Sequence, residues 1–135
     1  MSGSLDHGEI YDLIGGEETF ANIVEYFYET VADDELLRPL YPEKLDMAKT
    51  KLKLFLIKKF GGPDDYTPLR GHPRMRRRHM KFDIGIPQRN RWVEIMGSAL
   101  EKAGIDHQHP ARATLQEYFE WMATHLINQQ EFLVS

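Results

Sequence analysis

Among its 135 residues the chain has no cysteine at all. That excludes disulfides, thiolate metal sites and a cysteine nucleophile, so any transition metal has to be held by His, carboxylate, Tyr or Met. Long apolar runs are missing too. The longest, Leu54-Phe55-Leu56-Ile57, is far too short to span a bilayer, so no integral membrane segment is expected. The N-terminal residues include Asp6 and Glu9 and lack the cationic and apolar regions of a signal peptide; the expected location is the cytoplasm. No stretch alternates convincingly with period two, which leaves no strand to predict. There is no phosphate-binding glycine loop and no nucleophile elbow. The pairs Gly15-Gly16 and Gly61-Gly62 stand between helical segments rather than after strands, which removes a dinucleotide reading. Excess positive charge is also absent, because the net charge is −4, and this argues against general affinity for nucleic acid.

What is present is enough for one apolar core. The hydrophobic fraction is 41% and the aromatic fraction 11%, in a length that suits a single domain. The pattern is helical throughout, punctuated by glycine and proline. A short helix is expected over 9–13. From Glu17 onward Phe20, Ile23, Val24, Phe27 and Val31 recur at spacings of three and four, with Tyr28 one turn beyond Val24. Pro39 and Pro42 break that helix and leave Leu40 and Tyr41 in a bend. A second long helix is expected over 46–60, with Ala48, Leu52, Phe55 and Leu56 inward and its lysines on the other faces. Residues 64–73, holding Pro68, Gly71 and Pro73, look like loop. Only about two turns of helix fit over 74–81, and further helices are expected over 89–103 and 110–128. With no internal repeat and no linker, the fold class is all-α.

Charge is not spread evenly over these elements. The stretch "RGHPRMRRRHMK" concentrates six of the seventeen Lys and Arg residues and two of the six His. His79 shares one side of its short helix with Met75. A hydrogen-bonded boundary histidine beside a solvated basic face is the plain reading. The alternative is a partner that carries both a metal wanting a neutral imidazole and carboxylates wanting guanidinium groups, and haem has an iron centre and two propionates. Other histidines give weaker metal patterns. His107 and His109 are two apart in a loop, His72 precedes Pro73, and none has a second His four residues on.

Tyr28, Tyr41 and Trp92 form a second set. Each is an aromatic with a hydrogen-bond donor, expected at an inward-looking helix face or corner, where each alone would pass as core. Three such groups in one interior call for an acceptor.

These motifs, in this order, resemble the truncated haemoglobins, and within them the second group: "YDLIGGEETF", "YFYETVADDELLRPLYPE", "LFLIKKFGGPDDY", "RGHPRMRRRHMKFDI" and "RNRWVEIM". The resemblance runs from Ile10 to about Gln129. It implies a truncated two-over-two globin domain over 9–129, with a disordered or frayed N-terminus over 1–8 and a tail over 130–135. It further implies haem b (iron protoporphyrin IX) as cofactor, His79 as proximal iron ligand, and Tyr28, Tyr41 and Trp92 as distal donors. Ala48, where longer globins carry the distal histidine, and Leu52 would complete the distal side. Lys51 and Tyr66, with Arg76 or Arg78, look like propionate partners. Phe27, Phe55 and Met96 are expected as apolar walls, and His72, Met75 and Phe82 as further haem contacts.

Three functions remain open on this reading. The first is a protein that binds dioxygen and other diatomic ligands. The second is an enzyme, a nitric oxide dioxygenase or peroxidase, which would need an external reductase because no flavin or nicotinamide domain is present. The third, a helical polyanion-binding module using residues 70–81, is disfavoured by the acidic net charge and by the lack of aromatics among those arginines. No nucleic-acid partner is expected, and a homodimer is compatible with the sequence.

Overall fold

Apolar spacing and helix formation agree most closely in α2 (Gly16–Val31), where Phe20, Ile23, Val24, Phe27, Tyr28 and Val31 are all buried. Glu17 and Glu18 occupy its first turn, the end where a helix favours negative charge. A short α1 (Ile10–Ile14) leads into it. The break between them depends on glycine, because Gly15 has φ +112° and Gly16 φ +73°, conformations that side-chain-bearing residues rarely adopt. In this computed structural model the described residues are 5–70 and 84–127. The remaining helices are α3 (Asp46–Lys59), α4 (Tyr66–Arg70), α5 (Ile86–Lys102) and α6 (Arg112–His125), with 3-10 turns at His7–Glu9 and Arg38–Leu40. Among the described residues there is no strand.

Helix α2 packs on both α3 and α5, and α5 packs on α6. The pair α2–α3 therefore lies against the pair α5–α6, which is the two-over-two arrangement. Phe20, Phe27, Phe60, Met96, Leu100 and Leu115 fill the space between them and are fully buried. Exposed ion pairs link the outer edges of α2 and α3, Lys49 to Glu25 at 3.0 Å and Lys53 to Glu17 at 3.1 Å.

Three local expectations change. Residues 66–70, read as loop, are the helix α4, because Asp64 Oδ1 accepts from the Thr67 N–H at 2.9 Å and Pro68 falls in a first turn where no N–H is needed. Helix α5 starts at Ile86 rather than 89, since Pro87 is tolerated at its first turn and Gln88 Oε1 accepts from the Gly85 N–H at 2.9 Å. Within the segment expected to fray, Leu5 and His7 are packed: the Leu5 N–H donates to Thr114 Oγ1 at 2.9 Å, and the His7 ring lies 5.3 Å from Phe60 and 5.7 Å from Tyr118. The short helix expected over 74–81 lies outside the described residues.

Candidate functional site

The helices α2 to α6 and the corner at 37–42 leave a cavity of about 580 Å³ between them. Helix α3 contributes Ala48, Lys51, Leu52 and Phe55 to its wall, and α4 contributes Tyr66. This explains a peculiarity of α3, in which only Leu56 and Ile57 are buried although its apolar residues are many. One face of that helix looks into the cavity instead of into the core.

Tyr28, Tyr41 and Trp92 reach the same cavity from α2, from the corner after Arg38–Leu40, and from α5. The Tyr28 and Tyr41 rings meet edge to face at 5.4 Å, and Phe27 fills the space behind, 5.0 Å from Tyr28 and 5.3 Å from Trp92. Burial pushes the Tyr41 hydroxyl up to about 12, while hydrogen bonds from Trp92 and Tyr28 act in the opposite direction. Burial likewise raises Tyr28, as do the nearby Tyr41 and the hydrogen bond to it. The polar tips of the trio are thus close enough to act on one another, and the Trp92 indole N–H, a donor only, can only give to the Tyr41 oxygen.

Eight of the expected site residues line this cavity: Tyr28, Tyr41, Trp92, Ala48, Lys51, Leu52, Phe55 and Tyr66. Two do not. Phe27 and Met96, expected as walls, are fully buried behind the lining, because the α2–α5 contact takes their faces into the core. His72, Met75, Arg76, Arg78, His79 and Phe82 lie outside the described residues. The sequence reading also missed a wall: Tyr118, Phe119, Met122, Ala123 and Leu126 of α6 and its C-terminal end line the cavity. Their helical spacing signals burial but not what they are buried against. Arg89 lines the cavity as well, its Nε donating to Thr124 Oγ1 at 2.9 Å.

This volume lies within the roughly 300–1,000 Å³ range of cofactor and ligand pockets. Its wall is mostly apolar, with a cation on α3, another on α5 and five polar aromatics, Tyr28, Tyr41, Tyr66, Trp92 and Tyr118. Such a donor set suits a flat, apolar group that carries peripheral carboxylates and a reactive centre, and the residues fit haem.

Comparison with known proteins gives the family. The family model of the bacterial-like globins matches residues 9–128. The group 2 truncated hemoglobin YjbI of Bacillus subtilis is 37% identical over 121 residues, covering 90% of this chain and 89% of that one. Among solved structures, the hemoglobin of the thermophilic phototrophic bacterium Chloroflexus aurantiacus superimposes with a TM-score of 0.85 at 45% identity, covering 90% of this chain and 98% of that one. A truncated oxygen-avid haemoglobin from Bacillus subtilis gives 0.81 at 36% identity, with 87% and 98% covered. The chain belongs to the bacterial-like globins and, within them, to the group II truncated haemoglobins. Globins bind diatomic ligands through a haem cofactor, and no helix among the described residues is long and apolar enough to cross a membrane.

Proposed function

We propose that the cavity holds haem b with His79 as its iron ligand, and that the chain binds dioxygen and other diatomic ligands reversibly in the cytoplasm. The observation that carries this reading is the convergence of Tyr28, Tyr41 and Trp92, from three separate elements, on one apolar cavity. When bound, the haem supplies an iron centre that takes a diatomic ligand. The protein supplies the polarity around it. The Tyr28 and Tyr41 hydroxyls and the Trp92 indole N–H, all at the cavity wall, are the donors available to a ligand. Both tyrosines are neutral at physiological pH, and burial raises them further, so they keep their protons and can donate. Leu52, Phe55 and Ala48 make the surrounding wall apolar, which strengthens any hydrogen bond formed within it. Lys51 and Tyr66, with Arg76 or Arg78, are assigned to the propionates. A similar structure is described as oxygen-avid, which suits a site with several donors. No observation favours turnover of nitric oxide or peroxide through an external reductase over reversible binding.

The test is the absorption spectrum of the purified protein together with His79→Ala. Wild type should carry an intense haem band, and the variant should hold haem weakly or only with added imidazole. A variant that keeps the wild-type spectrum unaided would remove His79 from the assignment; wild-type protein that takes up no haem would remove the whole reading.

A further inference from the structure

Tyr41 lies in a stretch that helix geometry does not hold. Its backbone is extended, with φ −117° and ψ 155°, and the next regular element begins at Asp46. Three successive carbonyls, those of residues 41, 42 and 43, project there without helical partners. One side chain collects all three. Arg38 Nη1 donates to the Tyr41 carbonyl at 3.3 Å and to the Pro42 carbonyl at 2.9 Å, and Arg38 Nη2 donates to the Glu43 carbonyl at 2.7 Å. The Tyr41 N–H donates back to the Arg38 carbonyl at 3.1 Å, closing the loop from the other side. A planar guanidinium is suited to this work, because its donors are fixed in a fork, whereas a lysine ammonium is a single point on a flexible stem.

The corner is also tied to the helix that carries Trp92. Asp34 Oδ1 accepts from the Leu36 and Leu37 N–H groups at 3.0 and 2.9 Å, and Asp34 Oδ2 pairs with Arg91 Nε at 3.4 Å. Arg91 immediately precedes Trp92 on α5. The segment bearing Tyr41 is thus held at its start to α5 and at its end to Arg38.

We propose that Arg38 is a positioning residue for Tyr41: by clamping the carbonyls of residues 41–43 it fixes where the Tyr41 hydroxyl stands in the ligand cavity. This rests on the reading of that cavity as the diatomic-ligand site. Arg38 is not itself among the cavity-lining residues, so its influence on a ligand has to pass through the corner.

The experiment uses Arg38→Met, which keeps the length and removes the donors, Arg38→Lys, Tyr41→Phe, and the Arg38→Met/Tyr41→Phe double variant. Dioxygen release should quicken by about three- to tenfold in Arg38→Met and less in Arg38→Lys, while adding Arg38→Met to Tyr41→Phe should change nothing further, as expected when one residue acts through the other. The second readout is the NMR signal of ring-labelled Tyr41, assigned by its loss in Tyr41→Phe. It should shift and average in Arg38→Met and return partway in Arg38→Lys. This signal is read whether or not haem is bound, so a failure of the haem reading leaves the clamp tested. An unmoved Tyr41 signal, or a rate increase that persists undiminished in the Tyr41→Phe background, overturns the proposal. Should Arg38→Met not fold, the same two readouts on Arg38→Lys decide it.

Discussion

Two aromatic groups meet across Phe119, and they use the same residue types to different ends. On one side Phe20, Phe60, Tyr118 and His7 pack ring against ring, with Phe60 at 5.3 Å from both Tyr118 and His7 and 6.1 Å from Phe20. On the other side Phe27 packs comparably closely on Tyr28 and Trp92, and Tyr28 in turn on Tyr41. Phe119 touches both, 6.5 Å from Phe60 and 5.7 Å from Trp92. The difference lies in the polar tips. Around Phe60 the rings meet without acting on one another's polar groups, whereas the Tyr41 hydroxyl has the Tyr28 hydroxyl and the Trp92 indole close enough to influence it. The first group contributes cohesion; the second places polarity where the wall is apolar. Burial alone does not distinguish a structural tyrosine from a working one. The partner of its oxygen does.

The sharpest way to break this comparison is Phe60→Ala. Phe60 is fully buried, and its carbonyl accepts the Tyr11 N–H at 2.8 Å, so its removal leaves a hole where α1 and α3 meet. Truncation of a core phenylalanine costs about 3–5 kcal/mol. Denaturant unfolding should show a loss of that order, while the folded fraction releases dioxygen at close to the wild-type rate. A large change in release rate without loss of stability would mean that the two groups are one functional unit.

Next comes the other side. Tyr41→Phe removes the hydroxyl at the cavity wall that stands beside the polar tips of Tyr28 and Trp92. A hydrogen bond with charged character contributes about 1.5–3 kcal/mol, so dioxygen release should rise by about tenfold to a hundredfold at 1.4 kcal/mol per decade. Tyr28→Phe and Trp92→Phe should have smaller effects that do not add to that of Tyr41→Phe, because the polar tips of all three act on one another. Stopped-flow ligand replacement measures this. Equal rates in all variants would make the trio structural, like the group around Phe60.

The sequence carried the helical class and most of the wall on α3, because the spacing of Phe20, Ile23, Val24 and Phe27 in α2, and of Ala48, Leu52 and Phe55 in α3, reports which face turns inward. It misleads where proline reads as a breaker. Pro68 and Pro87 both lie in first turns, and the compensating Asp64 and Gln88 contacts become visible only once the backbone is in place. The α6 wall was legible as a buried face but not as a cavity wall, since periodicity does not say what a face meets. Arg38 had no signature at all. Its partners are backbone carbonyls, which every sequence supplies at every position. His79 and its neighbouring arginines, the most prominent sequence feature, lie outside the described residues.

A pH series sharpens the comparison at moderate effect. The Tyr41 hydroxyl is raised from its ordinary 10.0 to about 12 in the folded chain, chiefly by burial. The folded state therefore holds this proton more tightly than the unfolded chain does. The stabilisation is fully present below about 10 and is lost as pH rises through about 12. Alkaline unfolding curves of wild type should fall steeply in that window, and those of Tyr41→Phe should fall less steeply. Identical slopes would show that the Tyr41 hydroxyl is not insulated from solvent.

The smallest effect belongs to Tyr118→Phe, which makes the same chemical change in the other group. Tyr118 lines the cavity and is buried, and burial alone raises its hydroxyl; no hydrogen bond to that hydroxyl is found among the described residues. Phenylalanine keeps the contacts with Phe60, Phe119 and Trp121 and leaves the Lys59 ammonium over the ring, 5.0 Å from its centre. Nothing with a partner is removed, so stability should stay within about 0.5 kcal/mol of wild type. Dioxygen release should change by less than about twofold, although this ring borders the same cavity as Tyr41. The two Tyr→Phe variants measured side by side isolate one variable, whether the lost hydroxyl belonged to the hydrogen-bonded trio. If Tyr118→Phe accelerates release as much as Tyr41→Phe does, proximity to the cavity decides the effect, and the distinction between the two groups falls.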